Sequence, residues 1–329
     1  MVNHIDRTSY TEGLHRVADH CYAWLEPPGG WGLSNSGVVR AGDEVLVIDT
    51  QNDMRMARAM RAALDQCFGS RDPAHTTIVN THHDLDHWTG NGVFDAGRII
   101  ATDAAVKEMR STPDPDSLPD LVEPDTAAGA WARGQAETFD YTAWTREEPN
   151  ESFAGSRTIS LGDIAVHLVE VGPAHTPGDA IVHVPHDGVV FAGDIIFHRT
   201  TPISWASISG QIQACETILA LAPDVVVPGH GSVTDQEGVR EVRDYFSLVQ
   251  DHARRSQAAG IPLEAAYQDI DLGPYRNWAH ASRVYANLAC AYAEAEGRPS
   301  PKPTEVMEQV IADDHALTRH SEQSTGGRQ

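Results

Sequence analysis

The chain has few cysteines, no long apolar run and no signal-peptide core. Its four cysteines, none of them in a CxxC pair, are Cys21, Cys67, Cys215 and Cys290. This spacing argues against a disulfide framework or a zinc knuckle and favours buried thiols in a reducing compartment. No apolar run approaches the roughly 20 residues that span a bilayer, and the polar N-terminal segment lacks the apolar core of a signal peptide. We therefore expect a cytoplasmic protein without a membrane partner.

Basic residues are also scarce. The chain has 24 Lys and Arg residues against 47 Asp and Glu residues, a formal net charge of −23. Such a surface repels phosphate backbones, so nucleic acid is not an expected partner and a small-molecule substrate is. Hydrophobic residues make up 41% of the 329 positions, which is enough to build a sizeable core.

Short β-rich runs alternate with helical patterns over the first 235 residues, which indicates an α/β fold. The predicted strands are residues 45–48, 77–79, 98–101, 164–169, 180–184, 189–192 and 225–227. The first predicted helices are residues 54–68 and one that begins near Asp103. Residues 111–157, rich in proline and aromatic side chains, are interpreted as an insertion, either a lid over a pocket or a surface excursion.

Beyond residue 235 the pattern is helical, with helices predicted at 236–259, 263–270 and 279–296. We divide the chain into a domain of residues 1–245, with its insertion at about 111–157, and a helical extension of residues 246–329. The extension packs on the domain or forms a homodimer contact, so the chain is expected to be a monomer or a homodimer. Its polar tail after about residue 313 is predicted to be disordered.

Histidines and aspartates recur in four segments, each directly after a predicted strand. The segments are Thr81-His82-His83-Asp84-Leu85-Asp86-His87, His175-Thr-Pro-Gly-Asp179, Gly193-Asp194 and Gly229-His230-Gly231. Loops that leave a sheet at one edge bring distant segments together, and metal ligands must converge within about 2.0–2.2 Å of one ion. The pattern therefore predicts a metal centre.

The order of these segments resembles the metallo-β-lactamase-fold superfamily, as does the strand-ending Val47-Ile48-Asp49-Thr50. The resemblance covers roughly residues 20–235. It implies a four-layer αββα sandwich with two divalent metal ions at one edge, zinc in the first place and iron or manganese as alternatives. It also implies which residues bind them. His82 and His175 would bind one ion, Asp86, His87 and His230 the other, and Asp194 would bridge the two. Asp86 would also be the catalytic group that assists proton transfer.

Asp84 departs from the family pattern, because it stands where a second histidine is usual. Three interpretations are open. Asp84 ligates the first ion as a carboxylate, which would favour manganese or iron more than three histidines do and resembles the flavodiiron branch of the superfamily. Alternatively, Asp84 is too short to reach the ion and the enzyme works with one metal, or the neighbouring His83 replaces it. We take direct ligation as the first hypothesis.

Four residues are predicted to line the substrate pocket: Trp31, Trp88, His198 and Trp205. Aromatic walls suit a flat or apolar acyl group, although a tryptophan more often fills the core than contacts a substrate. Asp49 and Asp179 are interpreted as residues that orient histidine ligands or hold loops in place.

These features predict a hydrolase that uses a metal-bound hydroxide on a thioester, ester, lactone or lactam. Aromatic-polyketide thioesterase/cyclases belong to the group that the chain loosely resembles. The alternative, motivated by Asp84, is a di-iron redox enzyme or oxygenase on the same fold. A binding protein without catalysis is the third hypothesis.

Overall fold

The structure, a computed structural model, describes residues 3–4, 10–70 and 72–325, with side chains for residues 10–70 and 72–314. The strands are β1 (Asn3–His4), β2 (Gly13–Arg16), β3 (Cys21–Leu25), β4 (Ser36–Ala41), β5 (Glu44–Ile48), β6 (Thr76–Val79), β7 (Arg98–Thr102), β8 (Glu151–Phe153), β9 (Ser156–Leu161), β10 (Ile164–Glu170), β11 (Ala180–Val184), β12 (Val189–His198) and β13 (Val225–Gly231). The helices are α1 (Met54–Phe68), α2 (Leu85–Trp88), α3 (Asp103–Ser111), α4 (Ala127–Thr138), α5 (Ile208–Ala220), α6 (Gln236–Ala258), α7 (Leu263–Asp269), α8 (Val284–Ala295) and α9 (Pro303–Thr325). None of the helices in the described part is long and apolar enough to cross a membrane.

The strands form two mixed sheets. The first has the order β1-β2-β3-β4-β5-β6-β7-β8, antiparallel from β2 to β5 and parallel from β5 to β8. The second has the order β13-β12-β11-β10-β9, with β12 and β13 parallel. Strand β6, which precedes the first His/Asp segment, runs parallel to both of its neighbours, whereas β10, which precedes His175, is antiparallel to both of its neighbours. Asp194 and His230 were expected in loops after strands, but they lie within the parallel pair β12 and β13.

Three buried clusters show how the layers stack. The first lies between the sheets, where Leu46 and Val79 of one sheet pack with Phe191 of the other. A second packs α1 onto the outer face of the first sheet, and a third packs α5, α6 and α8 onto the outer face of the second. Apolar side chains thus cover both faces of each sheet. This is the αββα order expected from the sequence.

Local sequence sets the ends of the helices. At the start of α1, the Asp53 carboxylate accepts a hydrogen bond from the Met56 backbone N–H, and the residue after the helix is Gly69, which has a positive φ of 84°. Thr102 caps α3 in the same way, and Ser207 caps α5. The bounds predicted for α1 agree with the structure. Helix α5 has the same kind of cap but was not predicted from the sequence.

The predicted helix at 279–296 is shorter in the structure, where α8 begins at Val284 after a 3-10 turn. Nearly all of its side chains are buried, because α8 packs against α5, α6 and α9 of the same chain.

The predicted boundary at residue 245 falls inside α6, which belongs to the outer layer of the sandwich. Helix α9 continues to Thr325, past the point where the tail was expected to lose order, and residues 326–329 lie outside the described residues.

The insertion packs against the C-terminal extension. Glu308 of α9 accepts hydrogen bonds from the backbone N–H groups of Ala127 and Ala128, at the start of α4 in the insertion. Ala128 shares a buried cluster with Met307 and Ile311 of α9. The insertion is therefore held by the last helix instead of projecting from the surface.

Candidate metal centre

The four His/Asp segments meet at one edge of the two sheets. Two groups of donor atoms form there, each with ligand atoms within 4.8 Å of one another, and the groups are His82, His175 and Asp194, and Asp86, His87 and His230. In both groups the histidines are buried, with at most 4% of each residue exposed. Imidazole nitrogens and carboxylate oxygens are the donors that zinc and other divalent transition metals take in proteins.

The Asp194 carboxylate lies between the two groups. Its Oδ2 is 3.4 Å from His175 Nε2 and 3.4 Å from His230 Nε2. Its Oδ1 is 3.2 Å from Nε2 of His87, and Oδ2 is 3.9 Å from Nε2 of His82. One carboxylate therefore faces the Nε2 atoms of all four histidines.

Backbone geometry around Asp194 requires glycine on two neighbouring segments. Gly193 has a φ of 50°, in the left-handed region, and a Cβ there would lie 2.7 Å from Thr81 Oγ1. At Gly229 a Cβ would collide with Asp194 Oδ1 and lie 2.8 Å from the Gly193 carbonyl carbon. The glycines beside the candidate ligands thus make room for the carboxylate as well as for the turns.

Three histidines have their Nδ1 atoms held by hydrogen bonds. His175 Nδ1–H donates to the Ile203 carbonyl at 2.7 Å, and His87 Nδ1–H donates to Asp49 Oδ2 at 2.8 Å. Thr81 Oγ1 gives its own proton to Asp49 Oδ2 at 2.8 Å, so it accepts from His82 Nδ1–H at 2.9 Å. A proton on Nδ1 leaves the lone pair on Nε2, where a metal ion would be bound.

The fit to a metal ion is supported by atoms that have no hydrogen-bond partner. His82 Nε2, His87 Nε2 and Asp194 Oδ1 are buried and make no hydrogen bond. Leaving such atoms unpaired costs about 1–3 kcal/mol each, whereas coordination to a cation would satisfy all three. The side chains present therefore fit a divalent ion.

Electrostatics agree with this fit. Burial alone would lower the pKa of His87, but the carboxylates of Asp194, Asp86 and Asp49 raise it well above its usual value. Burial likewise opposes protonation of His175, yet Asp84 and Asp194 raise its pKa to about 9. The carboxylates thus raise the pKa of His87 and His175, whereas burial and the charge of His87 lower the pKa of His82 well below its usual value. A divalent cation would displace a proton from His87 and from His175.

Asp84 faces the first group. It precedes α2 but does not cap it with its side chain, and its Oδ2 lies 3.1 Å from His175 Nε2 and 3.9 Å from His82 Nε2. Burial would raise the pKa of Asp84, but the hydrogen bond and charge of His175 hold it well below its usual range. His83 Nε2 is 3.7 Å from the other oxygen of Asp84. Asp84 therefore lies beside two histidines of the first group, although it is not itself a member of that group.

The four predicted pocket residues differ in their surroundings. Trp31 and Trp205 are half-buried and pack against a cluster that contains Phe197. The backbone N–H of Trp205 donates to the His175 carbonyl at 2.7 Å. Trp88 is only 1% exposed, in the core under α3, so it supports the loop instead of lining an open surface. His198 directs Nδ1 to Ser232, whose carbonyl is 2.9 Å away, so its ring is held against the segment after β13.

Sequence reasoning missed Arg283, which comes from the C-terminal extension. Its side chain is buried, with the guanidinium carbon 4.0 Å from the centroid of the Trp31 ring and 5.6 Å from that of Phe197. Phe197 in turn stacks on the His230 ring at 4.8 Å. Burial lowers the pKa of Arg283 to about 10, against the charges of Asp314, Asp194 and Asp86. Arg283 is therefore a buried cation beside the centre, and no motif in the sequence marks it.

Tyr141 of the insertion was also missed as a residue near the centre. Its hydroxyl donates to Asn52 Oδ1 at 3.4 Å. Burial raises the pKa of Tyr141 first, and the nearby charge of Asp86 raises it further. The insertion therefore reaches the neighbourhood of the second donor group.

Comparison with known proteins adds family and fold to this geometry. A family model described as the metallo-beta-lactamase superfamily matches residues 29–230, a range that includes every candidate metal ligand. Among solved structures, the chain is similar to a stereoselective inverting sec-alkylsulfatase from Pseudomonas sp., with a TM-score of 0.67 and 15% identity. That match covers 89% of this chain and 51% of the sulfatase, so the chain spans about half its length.

A metallo-beta-lactamase from Pontibacter korlensis is also similar, with a TM-score of 0.55 and 13% identity. The match covers 72% of this chain and 99% of that one. At these identities the likeness to both structures concerns the fold.

Proposed function

The chain belongs to the metallo-beta-lactamase superfamily, and from this premise we propose that it is a metal-dependent hydrolase of a small-molecule carbonyl compound. The substrate class is a thioester, ester, lactone or lactam, including the substrates of polyketide-type thioesterase/cyclases. We propose two divalent ions, zinc in the first place. Their ligands would be His82, Asp84 and His175 for one ion, Asp86, His87 and His230 for the other, and Asp194 for both.

One observation carries this proposal. Four histidines direct Nε2 at a single carboxylate, that of Asp194, while the Nδ1 atoms of three of them are held by hydrogen bonds. A structural network of histidines would be expected to satisfy Nε2 as well. Here the Nε2 atoms of His82 and His87 are buried without a partner.

Divalent ions in such a site lower the pKa of a coordinated water from 15.7 to about 7 and polarise a carbonyl oxygen. The residues of this chain would hold and orient the ions and manage the proton. Asp86 is the most exposed donor of its group, with 17% of its side chain exposed, and its Oδ2 lies 3.4 Å from His230 Nε2. We assign to it the transfer of the proton that the attacking water loses.

We propose Trp31 and Trp205 as the aromatic wall that receives the acyl group. Trp31 contacts Trp131 of α4, at a ring-centroid distance of 5.5 Å, and Arg283. The insertion and the C-terminal extension would therefore shape the pocket together.

The four free cysteines are consistent with the reducing, cytoplasmic environment that we expect.

The position of Asp84 also supports the second candidate function, a di-iron redox enzyme. A carboxylate 3.1 Å from His175 Nε2 makes the first site harder and more anionic than a site of three histidines. Metal-depleted protein reconstituted with zinc or with iron would separate the two functions. Hydrolysis with zinc in the absence of oxygen supports the first, and oxygen-dependent turnover with iron supports the second.

The principal test uses metal-depleted protein, reconstituted with Zn²⁺, and a panel of substrates. The panel contains an acyl thioester, an aryl ester, a lactone and a β-lactam, with a secondary alkyl sulfate because a structural neighbour acts on that class. We expect zinc-dependent hydrolysis of a carbonyl substrate and its loss by at least about 100-fold in Asp194→Ala. Asp163→Ala, at an exposed turn between β9 and β10, is the control. Full turnover without metal, or an unaffected Asp194→Ala enzyme, would refute the proposal.

A further inference from the structure

A third group of metal-ligand atoms lies outside the centre described above. It consists of His20, His186 and Asp187, whose ligand atoms lie within 4.8 Å of one another. His20 directly precedes β3 in the first sheet, and the other two form the turn between β11 and β12 in the second. We propose that this group is a second, structural metal site that binds Zn²⁺ and links the two sheets.

The site is at the opposite end of the sandwich from the catalytic centre. Strand β12 begins directly after the turn that holds His186 and Asp187, and Asp194 lies further along the same strand. At about 3.3 Å per residue, the two aspartates are separated by roughly 20 Å. An ion bound to one group therefore cannot be shared with the other.

The carboxylate of the group is already in place. Asp187 accepts a hydrogen bond from the His20 backbone N–H at 2.6 Å and one from His20 Nδ1–H at 2.9 Å. Its side chain is only 2% exposed, so it has few other conformations to lose when an ion binds. His186 is exposed, and its ring centroid lies 5.2 Å from that of His20. The exposed side chain of His186 can therefore complete the donor set around an ion that the other two hold.

The spacing suits a tetrahedral ion. Ligand atoms at about 2.0–2.2 Å from zinc are roughly 3.4 Å apart, so the 2.9 Å contact between His20 Nδ1 and Asp187 has to open by only about 0.5 Å. The zinc ion would take the place of the Nδ1 proton, which is released to solvent. Two imidazoles and one carboxylate are a donor set typical of zinc, with water in the fourth position, and are poor donors for Mg²⁺ or Ca²⁺.

The connection between sheets suggests what the ion would do. His20 and Asp187 are 167 positions apart in sequence, so the complete donor set exists only in the folded chain. An ion that binds the folded chain and not the unfolded one stabilises the fold. Because the group lies at the other end of β12 from Asp194, catalysis should not depend on this ion.

The test compares His186→Ala with the wild-type protein after loading with excess Zn²⁺ and removal of unbound ion by gel filtration. Because His186 is exposed, its replacement should leave the fold intact. His75→Ala is the matched control, since His75 is an exposed histidine outside the three groups of the described residues. Zinc per chain is measured by inductively coupled plasma mass spectrometry, and Tm is measured with and without Zn²⁺.

We expect His186→Ala to bind one zinc ion fewer per chain than the wild type and the His75→Ala control. Its zinc-induced rise in Tm should be smaller, while any hydrolytic activity remains unchanged. Equal zinc content in His186→Ala and wild type would overturn the proposal. Loss of activity along with the ion would also contradict it, because the ion would then serve the catalytic centre.

Discussion

Asp49 offers the sharpest test of how the metal centre is organised. A single oxygen of its carboxylate, Oδ2, accepts from both His87 Nδ1–H and Thr81 Oγ1–H, each at 2.8 Å. Thr81 Oγ1 in turn accepts from His82 Nδ1–H. Asp49 therefore keeps the proton on Nδ1 of one histidine in each donor group, directly for His87 and through Thr81 for His82.

Asp49→Asn preserves shape but reverses this arrangement. The other oxygen, Oδ1, accepts from the Thr81 backbone N–H at 2.8 Å, so the amide oxygen must remain there and the NH₂ group must replace Oδ2. An NH₂ group donates, so His87 Nδ1 would have to accept and its proton would move to Nε2. Thr81 Oγ1 would then donate to His82 Nδ1, with the same consequence. Both histidines would lose the lone pair that binds the ion.

The size of the effect follows from these bonds. Loss of a residue that orients a metal-bound histidine typically lowers metal affinity or activity by 10–100-fold. This corresponds to about 1.4–2.7 kcal/mol of binding free energy. Because Asp49 acts on one histidine of each group, we expect both zinc dissociation constants of Asp49→Asn to rise within this range or above it.

The assay is competition for zinc with a chromophoric chelator at neutral pH. Asp53→Asn is the matched control, because Asp53 is also a buried carboxylate that accepts from backbone N–H groups, those of Met56 and Asp140. It should lose stability without losing zinc affinity. Wild-type zinc affinity in Asp49→Asn would refute the assignment of Asp49 as the residue that sets the histidine tautomers.

Three further predictions follow from other contacts. Asp84→His should raise zinc occupancy of the first site, measured as zinc per chain, because Asp84 faces His175 and His82; unchanged occupancy would mean that the Asp84 side chain does not bind the ion. Gly229→Ala should weaken zinc binding at least about 10-fold in the same competition assay, since the added Cβ collides with the Asp194 carboxylate. Glu151→Gln should lower the free energy of unfolding by about 1 kcal/mol at pH 7, after allowance for the solvent exposure of this ion pair. The hydrogen bond from Arg98 lowers the pKa of Glu151 from 4.5 to about 2, so the difference between wild type and variant should be complete above pH 4.5 and disappear as the pH falls towards 2. A pH-independent difference in chemical denaturation would contradict this last prediction.

Parts of the fold could be predicted because their signals are local. Helix α1 has an aspartate cap at one end and a glycine at the other, and the β-rich runs from residue 45 to 101 correspond to β5, β6 and β7.

Strand β12 was predicted to end at Ala192, because the glycine at position 193 indicated a turn. In the structure the strand continues to His198 with two irregularities in its pairing with β13. Such bulges depend on the neighbouring strand, so the residues of β12 alone do not reveal them.

The sequence by itself determined the family, the αββα architecture and the identity of the candidate donors. It could do so because each His/Asp segment is short and lies in or near a β-rich run, and because the four segments keep one order along the chain. Only the tertiary structure decided where Asp84 points, which nitrogen of His82, His87 and His175 is held, and which tryptophans are buried. It alone also brought Arg283 and the insertion to the same edge, and joined His20 to Asp187 at the other. These contacts link residues far apart in the chain, and their geometry depends on how the two sheets and the C-terminal helices pack, which no local pattern encodes.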